Sequence, residues 1–207
     1  MSPPLGRLHV LTDARAGRDA LGVATRAVEA GAPVIQLRVK GRTDRELYDL
    51  GTRLMAICAR HGTVCVVNDR PDLALAIGAH GTHLGADDLP VAAVRRLVGP
   101  GHLIGGTARE PGRAARLVAE GVDYLGVGPA YGTSTKAGLP TPIGPAGVGA
   151  VARAVDVPVI AIGGITADRV RPVLAAGAYG VAVVGAVSDA ADPAAATGSL
   201  LDALGEA

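Results

Sequence analysis

Residues 157–185 read VPVIAIGGITADRVRPVLAAGAYGVAVVG. An apolar run rich in β-branched residues fills 157–162 and stops at Gly163-Gly164. A segment rich in Ala, Arg and Leu then follows at helical spacing over 168–176 and ends at Gly177. A second apolar run, 180–185, completes the unit. Both runs are continuously apolar rather than alternating, as in parallel strands covered on both faces. Thr166 suits a helix start, and Gly177 suits the left-handed turn that ends a helix. The stretch is therefore one strand–helix–strand unit.

The same rhythm runs back to the start of the chain. Further strands are expected at residues 8–12, 33–38, 64–68, 82–84, 102–105 and 124–128, and helices at 19–30, 44–60, 113–120 and 147–154. Asp44 is a second expected helix start, and Gly31 and Gly121 are helix ends of the same kind as Gly177. Eight strand–helix units in 207 residues predict an α/β fold, a closed (β/α)8 TIM barrel formed as a single domain over 1–207. An open doubly wound sheet is the weaker alternative, because no Gly-x-Gly-x-x-Gly follows the first strand. The Gly/Pro-rich stretch 137–147 reads as a mobile loop between units six and seven.

Composition narrows the class. The chain has neither Phe nor Trp, so its core must be built from Val, Ile, Leu and Ala. A net charge of +1 without a basic tail argues against nucleic acid as a partner. No signal-peptide pattern and no membrane-spanning apolar run is present, which points to a cytoplasmic protein off the membrane. Cys58 and Cys65 fit no metal or redox spacing and read as buried thiols in a reducing compartment.

In a barrel, chemistry collects where strands end and the loops leading to helices begin. Strand two ends in Gln36-Leu37-Arg38-Val39-Lys40, and alternation puts Gln36, Arg38 and Lys40 on one face. A buried Arg and a buried Lys side by side call for an anion; otherwise the row is an ordinary solvated strand end. Lys40 and Lys136 are the only lysines beside eighteen arginines, and a lysine is the more compact point charge for a phosphate. Asn68-Asp69-Arg70 follows strand three, and Gly85-Ala86-Asp87-Asp88 follows strand four. Asp69 and Asp88 could share one Mg2+ on a diphosphate, or they could cap helices, the reading preferred for Asp87. His83 either faces a substrate or is a hydrogen-bonded core histidine. Gly105-Gly106-Thr107 offers a hydroxyl, and Thr133-Ser134-Thr135-Lys136 offers three hydroxyls and an ammonium in what could also be a plain turn. Gly163-Gly164-Ile165 and Val184-Gly185-Ala186 expose backbone amides, either as a phosphate cradle or as tight turns.

Taken in order from about Leu8 to Ala186, these stretches resemble the thiamine phosphate synthase family. The resemblance implies an enzyme that joins a pyrimidine methyl diphosphate to a thiazole phosphate (or its carboxylated precursor) and releases pyrophosphate. It implies that Arg38, Lys40, Asn68 and Lys136 hold the diphosphate, with Gln36 lining that site. It implies Mg2+ on Asp69 and Asp88, and Thr107 at the pyrimidine. Thr133, Ser134, Thr135, Gly164, Val184 and Gly185 would hold the thiazole phosphate. Arg38, Lys40 and Lys136 would be the catalytic cations, acting on a leaving group rather than as nucleophile and base. The chain departs from the family pattern at Ala86, often Gln, at Gly185, often Ser, and over residues 137–145. The partners expected are small molecules, and a homo-oligomer is compatible with the sequence. Alternatives are a thiazole tautomerase on the same barrel, a non-catalytic phosphate-ligand barrel, and a sugar-phosphate isomerase or epimerase. The first needs no diphosphate–metal site, the second predicts no turnover, and the third wants an acid–base pair that is not evident.

Overall fold

The computed structural model describes residues 5–13, 15, 17, 19–135 and 138–205. The first unit read, 157–185, forms strand β7 (Val159–Ile162), helix α7 (Ala167–Ala175) and strand β8 (Gly180–Val183). β7 and β8 pair in parallel, with Ile160 opposite Gly180 and Ile162 opposite Ala182. Six strands precede them: β1 (Leu8–Leu11), β2 (Val34–Leu37), β3 (Val64–Asn68), β4 (Gly81–Leu84), β5 (Leu103–Ala108) and β6 (Tyr124–Val127). Each pairs with the next, and β1 pairs in parallel with β8, so the sheet closes on itself. The open sheet is thereby excluded.

Helices α1 (Ala20–Glu29), α2 (Asp44–His61), α5 (Pro111–Ala119) and α7 fall close to where sequence spacing places them, and α6 (Gly144–Ala152) overlaps its expected span but starts earlier. The cap of helix α2 is Thr43, one residue before Asp44; its hydroxyl accepts the Glu46 N–H, and the Glu46 carboxylate accepts the Thr43 N–H. Gly31, Gly121 and Gly177 adopt φ of 92°, 97° and 115° just past helix ends, as expected. α3 (Pro71–Ile77), α4 (Val91–Val98), α8 (Gly185–Ser188) and α9 (Pro193–Leu204) complete the outer layer. The main core lies between strands and helices and is aliphatic, with Ile35, Leu54, Val67, Ile104, Leu125 and Val173 among its buried members. No described helix is long and apolar enough to cross a membrane.

Most element ends shift by one or two residues from the expected spans, and three of the differences bear on the site. β5 runs on through Gly105, Gly106 and Thr107 to Ala108, so those residues are strand and not loop. Helix α6 begins at Gly144, which shortens the expected loop. Proline in the first turn of a helix loses no intrahelical bond, so Pro145 does not break it. Gly185 lies at the start of α8, beyond the end of β8.

Candidate active site at the strand ends

The strand ends open into one cavity of about 820 Å³. Its wall includes Gln36, Arg38, Lys40, Asn68, Asp69, His83, Thr107, Thr133, Ser134, Thr135, Gly164, Val184 and Gly185. The topology thus gathers these residues from seven strand–loop junctions. Lys136 lies outside the described residues.

The cation row on unit two is built as alternation requires, but Arg38 is half-buried and Lys40 exposed, so neither is a fully buried charge. Arg38 lies just beyond the end of β2 and is held there by Thr12. The Thr12 hydroxyl accepts the Arg38 N–H at 2.8 Å and donates to the Arg38 carbonyl at 2.9 Å. Gln36, buried beneath, hydrogen-bonds Tyr124.

Asp69 and Asp88 do come together. Neither caps a helix: the residue at the start of α3 is Arg70, that at the start of α4 is Pro90, and neither start has a side-chain cap. The same holds for Asp87, which instead lines the cavity. Asp69 takes a left-handed backbone, φ 64°, which Asp tolerates better than most residues, and its N–H donates to the His83 carbonyl at 2.9 Å. Asp88 Oδ2 accepts the Gly85 N–H at 2.6 Å. A Cβ added to Gly85 would lie 3.0 Å from Asp88 Oδ2 and 3.9 Å from Asp69 Oδ1, so both carboxyls flank this wall residue. Burial, then the hydrogen bond and charge of Asp88, push the Asp69 carboxyl up to about 6, while Lys40 and Arg38 pull it the other way. Asp69 lines the cavity with Arg38 and Lys40, whereas Asp88 touches Asp69 but is not itself part of the wall; two touching carboxyls beside two cations form a donor set that suits a hard dication. No cluster of three or more His, Cys, Asp or Glu set for a metal occurs among the described residues. Mg2+ does not need one, because it takes one or two carboxylates and completes its shell with phosphate and water oxygens.

The floor is a polar chain inside an aliphatic barrel. His83 Nδ1 lies 3.2 Å from the Tyr124 hydroxyl, and its Nε2 lies 3.0 Å from Thr107 Oγ1. Its ring is therefore both a hydrogen-bonded histidine and part of the cavity wall. Burial holds it down to about 4, against the pull of Asp88. His9, wholly buried and edge-on to Tyr124 at 5.3 Å, is held lower still, at about 3. Gly105 makes room for this chain: a Cβ there would sit 2.2 Å from Tyr124 Cζ and 2.4 Å from His83 Nδ1.

Across the cavity, Thr133 and Thr135 bond to each other through their hydroxyls at 2.9 Å. Gly185 faces them; a Cβ there would come 3.2 Å from the Thr135 methyl and 2.9 Å from Asp189 Oδ2. Two arginines in the wall, Arg109 and Arg169, belong to none of the sequence motifs above. Arg109 donates to the Thr141 carbonyl at 2.6 Å, and its Nε is buried without a partner. Alternation could have found it, because Thr107 and Arg109 are two apart at the end of β5. Tyr124 and His9 also lie outside those motifs, although a tyrosine in a chain without Phe or Trp is itself a signal.

Residues 8–187 match the family model described as thiamine monophosphate synthase. A thiamine-phosphate synthase of Salinispora tropica is 56% identical over 97% of this chain and 98% of its own. One from Salinispora arenicola is 54% identical over the same shares. Among solved structures, a thiamine phosphate pyrophosphorylase from Pyrococcus furiosus superposes with a TM-score of 0.88 at 34% identity, covering 97% of this chain and 96% of that one.

Proposed function

We propose roles for the residues of this site from one premise: the chain belongs to the thiamine monophosphate synthase family and acts as a thiamine-phosphate synthase. Its substrates are small molecules. The pyrimidine methyl diphosphate lies on the side of units two to five, with its diphosphate against Arg38, Lys40, Asn68 and Lys136. Asp69 and Asp88 hold Mg2+, which when bound offsets charge on the diphosphate. Thr107, oriented by neutral His83, meets the pyrimidine. The thiazole phosphate lies on the side of units six to eight, against Thr133, Ser134, Thr135 and the amides of Gly164, Val184 and Gly185.

The observation that carries this reading is the meeting, in one cavity wall, of Arg38 and Lys40 with Asp69, whose carboxyl is backed by that of Asp88. No nucleophile with an adjacent base is needed. The diphosphate departs with its bonding electron pair, leaving a stabilised pyrimidine methyl cation, and the thiazole nitrogen supplies the pair for the new C–N bond. Arg38, Lys40 and Lys136 stabilise charge that grows on the leaving oxygens, and loops six to eight align the acceptor. We place the reaction in the cytoplasm, where Cys58 and Cys65, free and buried, stay reduced. Pyrophosphate release on mixing the two substrates, with and without Mg2+, tests the scheme. Release that needs both substrates and is lost with chelator is expected; release independent of the metal would overturn the Asp69–Asp88 assignment.

A further inference from the structure

Arg169 stands in the first turn of α7, immediately beyond the Gly-Gly segment of unit seven. Its Nη1 donates to the Gly164 carbonyl at 2.7 Å. Its guanidinium lies over the ring of Tyr131, 4.7 Å from the centroid, and Tyr131 belongs to the loop of unit six. The Tyr131 N–H in turn donates to the Gly163 carbonyl at 2.9 Å. Loops six and seven are in close contact here: a Cβ added to Gly164 would lie 2.4 Å from the Gly132 carbonyl oxygen. Two consecutive carbonyls, Gly163 and Gly164, are therefore each tied by one donor.

The C=O and N–H of a trans peptide point in opposite directions. Tying these two carbonyls fixes the directions of the Gly164 and Ile165 N–H groups, and both residues line the cavity. Gly163 and Gly164, at φ 97° and 63°, belong to a segment with unusual rotational freedom, which a donor on each carbonyl removes. A cationic donor on the Gly164 carbonyl also polarises that peptide and makes its N–H the stronger donor to an anion. A cation–π contact holds the guanidinium itself in place.

We propose that Arg169 is a positioning residue that sets the affinity for the thiazole phosphate, by locking the Gly164–Ile165 peptide with its N–H toward that phosphate through a clasp shared with Tyr131. The inference rests on the phosphate assignment proposed above for units six to eight. It assigns Arg169 no contact with the reacting atoms.

The test is steady-state kinetics on the Mg2+-loaded enzyme, with the thiazole phosphate and, separately, the thiazole alcohol that lacks the phosphate. Arg169→Ala should raise KM for the thiazole phosphate about tenfold, the effect of one charge-assisted hydrogen bond, and leave KM for the pyrimidine diphosphate within about twofold. With the thiazole alcohol, variant and wild type should coincide. Arg169→Lys keeps the charge and should recover only part of the loss. Tyr131→Leu leaves the guanidinium and removes its platform; it should show the same substrate bias at smaller size, and it serves if Arg169→Ala does not fold. Equal rises in both KM values, full rescue by lysine, or a loss that persists with the thiazole alcohol would overturn the lock. A wild-type enzyme that uses phosphate and alcohol equally well would instead overturn the cradle itself, and the proposal with it.

Discussion

Thr12 holds Arg38 at both ends of its backbone: the Thr12 hydroxyl accepts the Arg38 N–H at 2.8 Å and donates to its carbonyl at 2.9 Å. Arg38 lies past the end of β2, where the regular strand ladder no longer fixes its direction. A buried side chain from β1's end thus extends the strand by one residue and aims the cation into the cavity. Thr12→Val keeps the shape and removes both bonds. We expect it to destabilise the fold by about 1–2 kcal/mol in urea unfolding and to raise KM for the pyrimidine diphosphate, with Thr12→Ser near wild type. Unchanged kinetics in Thr12→Val would show that Arg38 needs no such support.

The carboxyl pair yields a second expectation. Asparagine tolerates the left-handed backbone of position 69, and an amide oxygen at position 88 can still accept the Gly85 N–H. Asp69→Asn and Asp88→Asn should therefore fold while each removes one charge from a hard-cation site. Turnover should fall on the order of a hundredfold, with the Mg2+ dependence shifted to higher concentration. Full activity of both variants at limiting Mg2+ would show that the pair has another role.

Much of this molecule is legible in its residues, and the exceptions share physical causes. The β-branched runs announce the strands, because continuously apolar parallel strands leave a strong pattern. The end of β5 was obscured because Gly105 and Gly106 look like a turn. They are strand residues, and Gly105 leaves space for Tyr124 and His83. Helix α6 was obscured in the same way by Gly144 and Pro145. Within the site, alternation alone displays Gln36, Arg38 and Lys40. The meeting of Asp69 and Asp88 depends on a left-handed backbone and on two separate loops, which no spacing encodes. Arg109 and Arg169 find their partners in backbone carbonyls, those of Thr141 and Gly164. A carbonyl is present at every position, so such pairs leave no mark in the sequence.

The floor histidines give a pH prediction. His83 and His9 titrate at about 4 and about 3 in the fold, against about 6.5 in an unfolded chain. The unfolded state therefore binds more protons as pH falls below about 6.5, so the stability these neutral rings contribute is fully present above that value. It is lost as pH falls through the range down to their folded values. Their imidazole resonances should stay at neutral positions down to about pH 5 in NMR titration. Activity between about pH 6 and 8 should show no inflection traceable to His83, as comparison with His83→Gln would reveal. A His83 resonance that titrates near 6.5 would contradict the hydrogen-bonded, neutral floor.

Arg109 ties the loop of unit six to the wall of unit five through the Thr141 carbonyl, and Leu139 and Pro140 of that loop line the cavity. We predict that this loop screens the pyrimidine methyl cation from water. Arg109→Ala should then divert several-fold more of the pyrimidine to its alcohol per pyrophosphate released, as an order of magnitude for a loosened lid. The ratio of alcohol to thiamine phosphate measures it directly. Proteolysis within residues 138–143 should also slow when both substrates are present in wild type. An unchanged product ratio together with unchanged protection would remove the loop from the chemistry.

The two lysines provide the most demanding check on the leaving-group assignment. Lys40 stands exposed in the cavity wall, in the row that continues Gln36 and Arg38. Lys136 follows Thr135, whose hydroxyl is already bonded to Thr133 in the same wall. Were either lysine a mere surface charge, its removal would cost little, because exposed charges act weakly through water. If instead each meets the departing diphosphate, its contact strengthens as negative charge grows on the leaving oxygen. The loss must then appear more in kcat than in KM for the pyrimidine diphosphate. For Lys40→Ala and Lys136→Ala we expect a fall in kcat corresponding to a few kcal/mol, about the size found for one preorganised group at a developing charge. Lys136→Arg keeps the charge but puts a wider planar head in a stretch of sequence already dense with Thr133, Ser134 and Thr135, so it should recover only part of the rate. A near-normal kcat for Lys136→Ala would strike this lysine from the active site, and full recovery with arginine would show that charge alone, without placement, is enough.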